Sequence, residues 1–199
     1  TLSDLNNLDG ERYVLGMRNS GAEQTGAFIL DALGIDYANK FNLAYMGYGA
    51  SASALQDGNI VGMNVPAGAP VTSITQAYAQ LAGRMRVLNF SQQEMDAVNA
   101  QYPLWDFYDL APGTYPYQDE VVTTASSPNV FVVRDDVPEE IVYQLTRLLW
   151  DNLATLQEIH SATKQMSIED ALKGNPIPLH PGALRYYQER QIDIPDHLF

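Results

Sequence analysis

The 199-residue chain contains no cysteine, which rules out disulfides, thiolate zinc sites and thiol nucleophiles. A cysteine-free chain suits an oxidising or a reducing compartment equally, so this absence does not place the protein. Basic residues are scarce: eleven Lys and Arg stand against twenty-four Asp and Glu, a formal charge of −13. Nucleic acid and anionic membrane surfaces both need a basic footprint, and this balance argues against either as a partner. No apolar run approaches the roughly 20 residues that span a bilayer. The three histidines, His160, His180 and His197, are too far apart for metal-ligand spacing. There is no Walker loop, GxSxG elbow or HExxH. No cofactor, metal or catalytic constellation is therefore expected. What is present is a core: 46% of residues are hydrophobic and 18% charged, enough for one large domain or two small ones. The first residue is Thr1 rather than methionine, so removal of an upstream segment is expected.

Residues 12–16 read as a short strand. Ser20 then opens a helix, with Glu23 three residues on completing a capping box, Phe28, Ile29, Ala32 and Leu33 as its apolar stripe and Gly34 as its stop. Strands are expected at 41–46, 60–65 and 86–90, with helices from Ser51, from Pro70 (which suits a first turn) and from Ser91, where Glu94 completes a second capping box. Four alternations with short links predict an α/β lobe with a mostly parallel sheet. Residues 102–118, rich in aromatics and prolines, read as an irregular loop. Residues 120–134 read as two strands bent at Ser126-Ser127-Pro128, a crossing between two lobes. A long helix from Pro138 with a break near Asn152, a short helix at 167–172 and a last one at 181–188 complete the pattern.

Two junctions stand out. In Gly16-Met17-Arg18-Asn19-Ser20-Gly21-Ala22 a glycine-flanked turn enters a helix, leaving backbone N–H groups unpaired at the positive dipole end. Asn19, Ser20, Gly21 and Ala22 are thus candidates to hold a carboxylate or phosphate. The same residues also read as an ordinary capping box, and Glu23 would repel an anion. The second junction, from Gly62 through Asn64 and Gly68 to Pro70, again leaves a strand end for a helix. In open α/β sheets ligands sit beyond the carboxyl ends of strands, although a plain Gly/Pro loop would read the same. Tyr115 lies in the aromatic loop, either as packing or as a ring closing on a ligand.

The run Ile177-Pro178-Leu179-His180-Pro181-Gly182-Ala183-Leu184-Arg185-Tyr186-Tyr187 closely resembles the C-terminal end of TAXI-type solute-binding proteins of TRAP transporters. Residues 2–15, the Asn19-Ser20-Gly21-Ala22-Glu23 turn, residues 48–58, Pro112-Gly113-Thr114-Tyr115 and residues 137–143 are similar to further stretches of that family in the same order. The resemblance implies a type II periplasmic-binding-protein-like fold without enzymatic activity. It implies a periplasmic receptor that captures a small anionic organic solute, such as a glutamate-like amino acid or a dicarboxylate, and delivers it to the TRAP membrane subunits. The ligand carboxylate would rest on Ser20-Gly21-Ala22, with Asn64, Gly68 and Pro70 as one wall and Tyr115 as another. Ala22 replaces the family's threonine, removing a hydroxyl from that cradle. The HPGA run reads as structural, with Pro and Gly positioning a helix start.

The family carries further residues before the segment resembling residues 2–10, so the chain is expected to be a C-terminal fragment. Residues 1–9 would lead into the hinge, 10–118 form the complete second lobe, and 119–199 supply crossover strands and helices of a partial first lobe. Such a fragment would expose an apolar face through Val130, Val132, Leu145 and Leu149. A second copy in a dimer or swapped assembly, a separate amino-terminal fragment or rearranged helices would cover it. The rival classes are a transferase on the same fold, which needs convergent catalytic groups, and a sensing domain, which needs an attached DNA-binding or membrane segment.

Overall fold

In a computed structural model of the chain, residues 1–159 and 161–199 are described; His160, one of the three separated histidines, lies outside them. The chain divides into two compact units, Thr1–Ser126 and Ser127–Phe199.

The first unit is built on β1 (Arg12–Gly16), the central strand of a parallel sheet ordered β2-β1-β3, with β2 at Asn42–Tyr45 and β3 at Gly62–Met63. The α/β class expected from the alternation is thus observed. Tyr13 to Gly16 are all buried, as a central strand covered on both faces requires. Tyr13 stacks on Phe41 with ring centroids 4.9 Å apart. Its ring lies so close over β3 that a Cβ on Gly62 would stand 2.5 Å from it. Burial pushes the Tyr13 phenol up to about 12.

Helices α1 (Gly21–Ala32), α2 (Tyr37–Lys40), α3 (Tyr48–Gln56), α4 (Thr72–Leu81) and α5 (Gln92–Gln101) follow. α1 ends as its sequence predicts. Gly34 takes φ +71°, its N–H reaches the Asp31 carbonyl, and the Ile35 N–H reaches Leu30, a Schellman closure in which buried Leu30 and Ile35 share one cluster. At α5 the Ser91–Glu94 capping box forms in full.

Several expectations are corrected. The third strand is two residues long rather than six: the Val61 and Asn64 N–H groups on either side of it still donate to the Arg12 and Val14 carbonyls at 2.9 and 2.8 Å, and past Asn64, whose side chain turns back to α1, the chain leaves the ladder. Residues 86–90 form no strand, since their amides are met singly: Val87 N–H by the Tyr78 hydroxyl at 2.9 Å and Phe90 N–H by the Thr123 carbonyl at 2.8 Å. α4 begins at Thr72 with Val71 as N-cap, so Pro70 precedes the helix instead of lying in its first turn. The stretch expected to be irregular contains β4 (Asp106–Leu110), which pairs antiparallel with β5 (Val122–Ser126). Asp106 and Asp109 flank Phe107 and Tyr108 on β4, where only Leu110 is buried, and every residue of β5 is half-buried, which suits a half-exposed ladder. Buried Gln118 holds the connection, accepting the Tyr115 N–H and donating to the carbonyls of Leu110, Ala111 and Glu120. Beyond the bend, residues 127–136 form no second strand.

In the second unit α6 (Glu139–Asp151) ends at Asn152, where the break was expected, and α7 (Leu153–Ile159) continues. α8 (Pro181–Glu189) packs on α6 around buried Tyr186, Tyr187, Leu172 and Leu198. Residues 167–172 make i→i+3 turns, such as Lys173 N–H to Asp170, rather than the expected helix. The HPGA run is structural, as expected. His180 Nδ1 caps Gly182 N–H at 3.1 Å, and Pro181 occupies N1. Gly182 lies so close to α6 that a Cβ would collide with backbone atoms of Glu139 and Tyr143. The face through Val130, Val132, Leu145 and Leu149 is exposed, and Phe131, Ile141, Leu148 and Ile159 are exposed with it. Among the described residues no helix is long and apolar enough to cross a membrane, and none of the His, Asp and Glu residues cluster to hold a metal.

Candidate ligand-binding crest

The strand order β2-β1-β3 makes the centre of the sheet a switch point: β1 connects to β2 on one side, and β2 connects back past it to β3 on the other. Loops leaving β1 and β3 therefore part company at their carboxyl ends, where open α/β sheets take ligands. The two loops that leave the sheet there are 16–20 and 64–71, the junctions singled out in the sequence, and the Asn64 side chain links them.

The first loop is tight. Gly16 has φ +145°, and a Cβ there would stand 2.8 Å from Ala22 Cβ and 2.9 Å from Glu23 N, so only glycine lets strand and helix approach this closely. Ser20 accepts the Glu23 N–H through its hydroxyl at 3.2 Å. The reciprocal half of the expected capping box moves by one residue, because the Glu23 carboxylate takes the Asn19 N–H instead, with Asn19 at φ +60°. That contact occupies Asn19. The Gly21 and Ala22 N–H groups have no acceptor among the described residues, and they are the donors the helix start leaves open.

Asn64 is drawn into this loop by its side chain. Its Nδ2 donates to the Ala22 carbonyl at 2.7 Å and the Leu15 carbonyl at 3.3 Å, so both amide protons clamp α1 to β1. The clamp depends on Gly26, where a Cβ would meet Nδ2 at 2.8 Å. In this geometry Asn64 offers a ligand only its amide oxygen. Gly68 and Pro70 are exposed in the second loop, which is tied down by a bond from the Tyr48 hydroxyl to the Pro66 carbonyl at 3.2 Å. Tyr115 stands apart from the other candidates: it is 4% exposed, stacked on Tyr78 at 5.2 Å, and its hydroxyl accepts the Val71 N–H at 3.2 Å. Burial raises its phenol above the ordinary range against the lowering pull of that N–H. Tyr115 thus props the end of the second loop from inside the core instead of closing over an open surface.

Sequence reasoning overlooked Arg18 as a site residue. Its guanidinium stacks over the Tyr45 ring, 3.9 Å from the centroid, at the carboxyl end of β2, and no carboxylate among the described residues pairs with it. The available signal was its isolation: no other basic residue lies between Arg12 and Lys40. Met17 beside it leans toward the N-cap of α3, its sulfur 3.8 Å from where a Cβ on Gly47 would stand.

A crest of glycine turns and helix starts at a switch point is the arrangement of a binding fold, and the sequence as a whole agrees. The chain belongs to the NMT1-like family. The family's pattern matches residues 1–190, so the crest, both sheets and all of α1 to α8 lie within the match. The NMT1-like family is of periplasmic-binding type and consists mostly of binding proteins, in keeping with an α/β lobe centred on a parallel sheet.

Proposed function

We propose that the protein is an extracytoplasmic solute receptor that takes a small organic anion at the crest of its parallel sheet. The observation that carries this reading is the joining, through the Asn64 side chain, of the Gly16–Ser20 turn and the 64–71 loop at the switch point, with the Gly21 and Ala22 N–H groups and an Arg18 that has no carboxylate partner among the described residues. Helix-start amides favour negative charge. They act locally, as they must in a chain of charge −13, which offers no long-range attraction to an anion. In this reading Ser20, Gly21 and Ala22 cradle the anion, Asn19 shapes the turn, Asn64 holds the cradle's geometry, and Gly68 and Pro70 form the opposite wall. In this reading residues 1–9 lead into the hinge, and of the expected 119–199 segment residues 127–199 belong to the other lobe of the receptor, since 122–126 pair with β4. The resemblance to TAXI proteins supports delivery of the solute to TRAP-type membrane subunits, with a second copy covering the apolar face of α6.

The test uses equilibrium dialysis of the protein against a mixture of small organic acids, with Gly21→Pro as the probe variant. Proline is accommodated at N1, Ser20 before it is already extended at ψ 158°, and a Cβ at Gly21 meets nothing within 4 Å. The wild-type protein retains an organic acid, and the variant, lacking one open N–H, retains it about tenfold less well. Equal retention by the two proteins would remove the helix start from the site.

A further inference from the structure

The ionisable groups around the crest are few, and they limit what it can bind. The 16–23 junction contributes Arg18 and Glu23, and the Glu23 carboxylate is already engaged with the Asn19 N–H. Residues 45–50 and 63–71 contribute no Asp, Glu, Lys, Arg or His. Among these described residues Arg18 is therefore the cation available to a ligand. A second carboxylate on the same ligand would lose water without gaining a charge partner, next to the negative Glu23.

The remaining side chains at the strand ends are soft and apolar. Each of the three parallel strands finishes on or next to a methionine: Met17 after β1, Met46 after β2 and Met63 at the end of β3. Met17 is 57% exposed, while Met46 and Met63 are half-buried against the sheet's own cluster. Tyr45 carries the stacked Arg18, and Tyr48 is pinned to the second loop by its hydroxyl. Flexible thioethers and rigid aromatic faces accommodate hydrocarbon of variable shape, and an arginine held over an aromatic ring can present its planar donors to a single carboxylate.

We infer that the crest selects a monocarboxylate with an apolar body, Arg18 and the open Gly21 and Ala22 N–H groups together taking the one carboxylate and Met17 with Tyr45 and Tyr48 the body, over dicarboxylates and glutamate-like amino acids. This rests on the receptor reading and narrows its substrate class. Calorimetric titration of the protein at neutral pH with hexanoate, phenylacetate, succinate and glutamate tests it, with Arg18→Gln, Arg18→Lys and Met17→Gln alongside. Hexanoate or phenylacetate binds at least about tenfold more tightly than succinate or glutamate. Arg18→Gln weakens the favoured acid about tenfold, the loss of one charge-assisted contact, and Arg18→Lys restores part of the loss because the charge returns without the planar stack. Met17→Gln weakens hexanoate and phenylacetate. Tighter binding of succinate or glutamate overturns the selectivity and leaves the receptor reading standing. Unchanged affinity in Arg18→Gln overturns the placement of the carboxylate. If none of the four acids binds, this inference falls, and the dialysis against the wider mixture decides whether the receptor reading falls with it.

Discussion

At the scale of single residues, hydrogen bonding satisfies the buried Ser51, Glu94 and Gln118 of the first unit, whereas Ser73 Oγ and Trp105 Nε1 are buried without a partner among the described residues. Glu94 is 9% exposed, yet its carboxylate accepts the Ser3 N–H at 2.8 Å, the Ser91 N–H at 2.7 Å and the Ser91 hydroxyl at 2.8 Å. Burial pulls its titration upward, and the donors outweigh burial and hold it below the ordinary glutamate range. A depressed folded value means that the charged form is favoured by folding. That stability is present above the unfolded glutamate range and is lost as pH falls through the folded one. Denaturant unfolding measured from neutral pH down into the acid range should show wild-type stability falling on the acid side. Glu94→Gln should be less stable at neutral pH and show a shallower acid decline; parallel curves would contradict the linkage. Glu94 was legible as a cap from its position after Ser91. The bond to Ser3, 91 residues away, was not, because only the folded chain brings the two together.

At the scale of elements, close approach of backbones decides the second unit. α6 and α8 cross where Gly182 has no side chain, and Arg185 on α8 bridges Glu139 and Glu140 at 2.8 and 2.7 Å while lying over the Tyr143 ring. Those ion pairs are solvent-exposed and screened, so the crossing rests mainly on packing. Gly182→Ala should destabilise the protein by about 1–3 kcal/mol through forced separation of the helices. Gly49→Ala, in open space on α3, should leave stability unchanged or raise it by about 0.5–1 kcal/mol. Thermal unfolding of the two variants separates a steric requirement from a generic glycine effect. The sequence located α8 through His180 and Pro181, but Gly182 looked like part of the same start signal. Its collision partners lie on another helix, some forty residues earlier in the chain.

At the scale of the whole molecule, charge and apolar surface oppose each other. The −13 charge keeps copies apart, while Ile141, Leu145, Leu148 and Leu149 leave one face of α6 exposed with Phe131 and Val132 also in solvent. Salt screens the repulsion and leaves the apolar attraction intact. Light scattering should therefore show association that grows with added salt, and the double substitution Leu145→Gln with Leu148→Gln should suppress it without loss of helix signal. A wild-type protein that stays monomeric at high salt would show that this face does not drive association.

The sequence by itself determined the local devices: the Ser20 and Ser91 caps, the Gly34 stop, the break at Asn152 and the glycine turn at Gly16. Each is satisfied by partners within about four residues, or by a conformation that only glycine adopts easily, so its signal is complete within a short window. Only the tertiary structure decided that residues 106–110 pair with 122–126, that 86–90 find single partners instead of a ladder, and that Tyr115 is core. It also decided that both Asn64 amide protons are committed to Ala22 and Leu15. In these cases the deciding partner lies from 9 to 49 residues away. A strand end, a tyrosine and an asparagine look alike in sequence whether their donors meet a ligand or a carbonyl; only the folded chain shows which groups are already engaged.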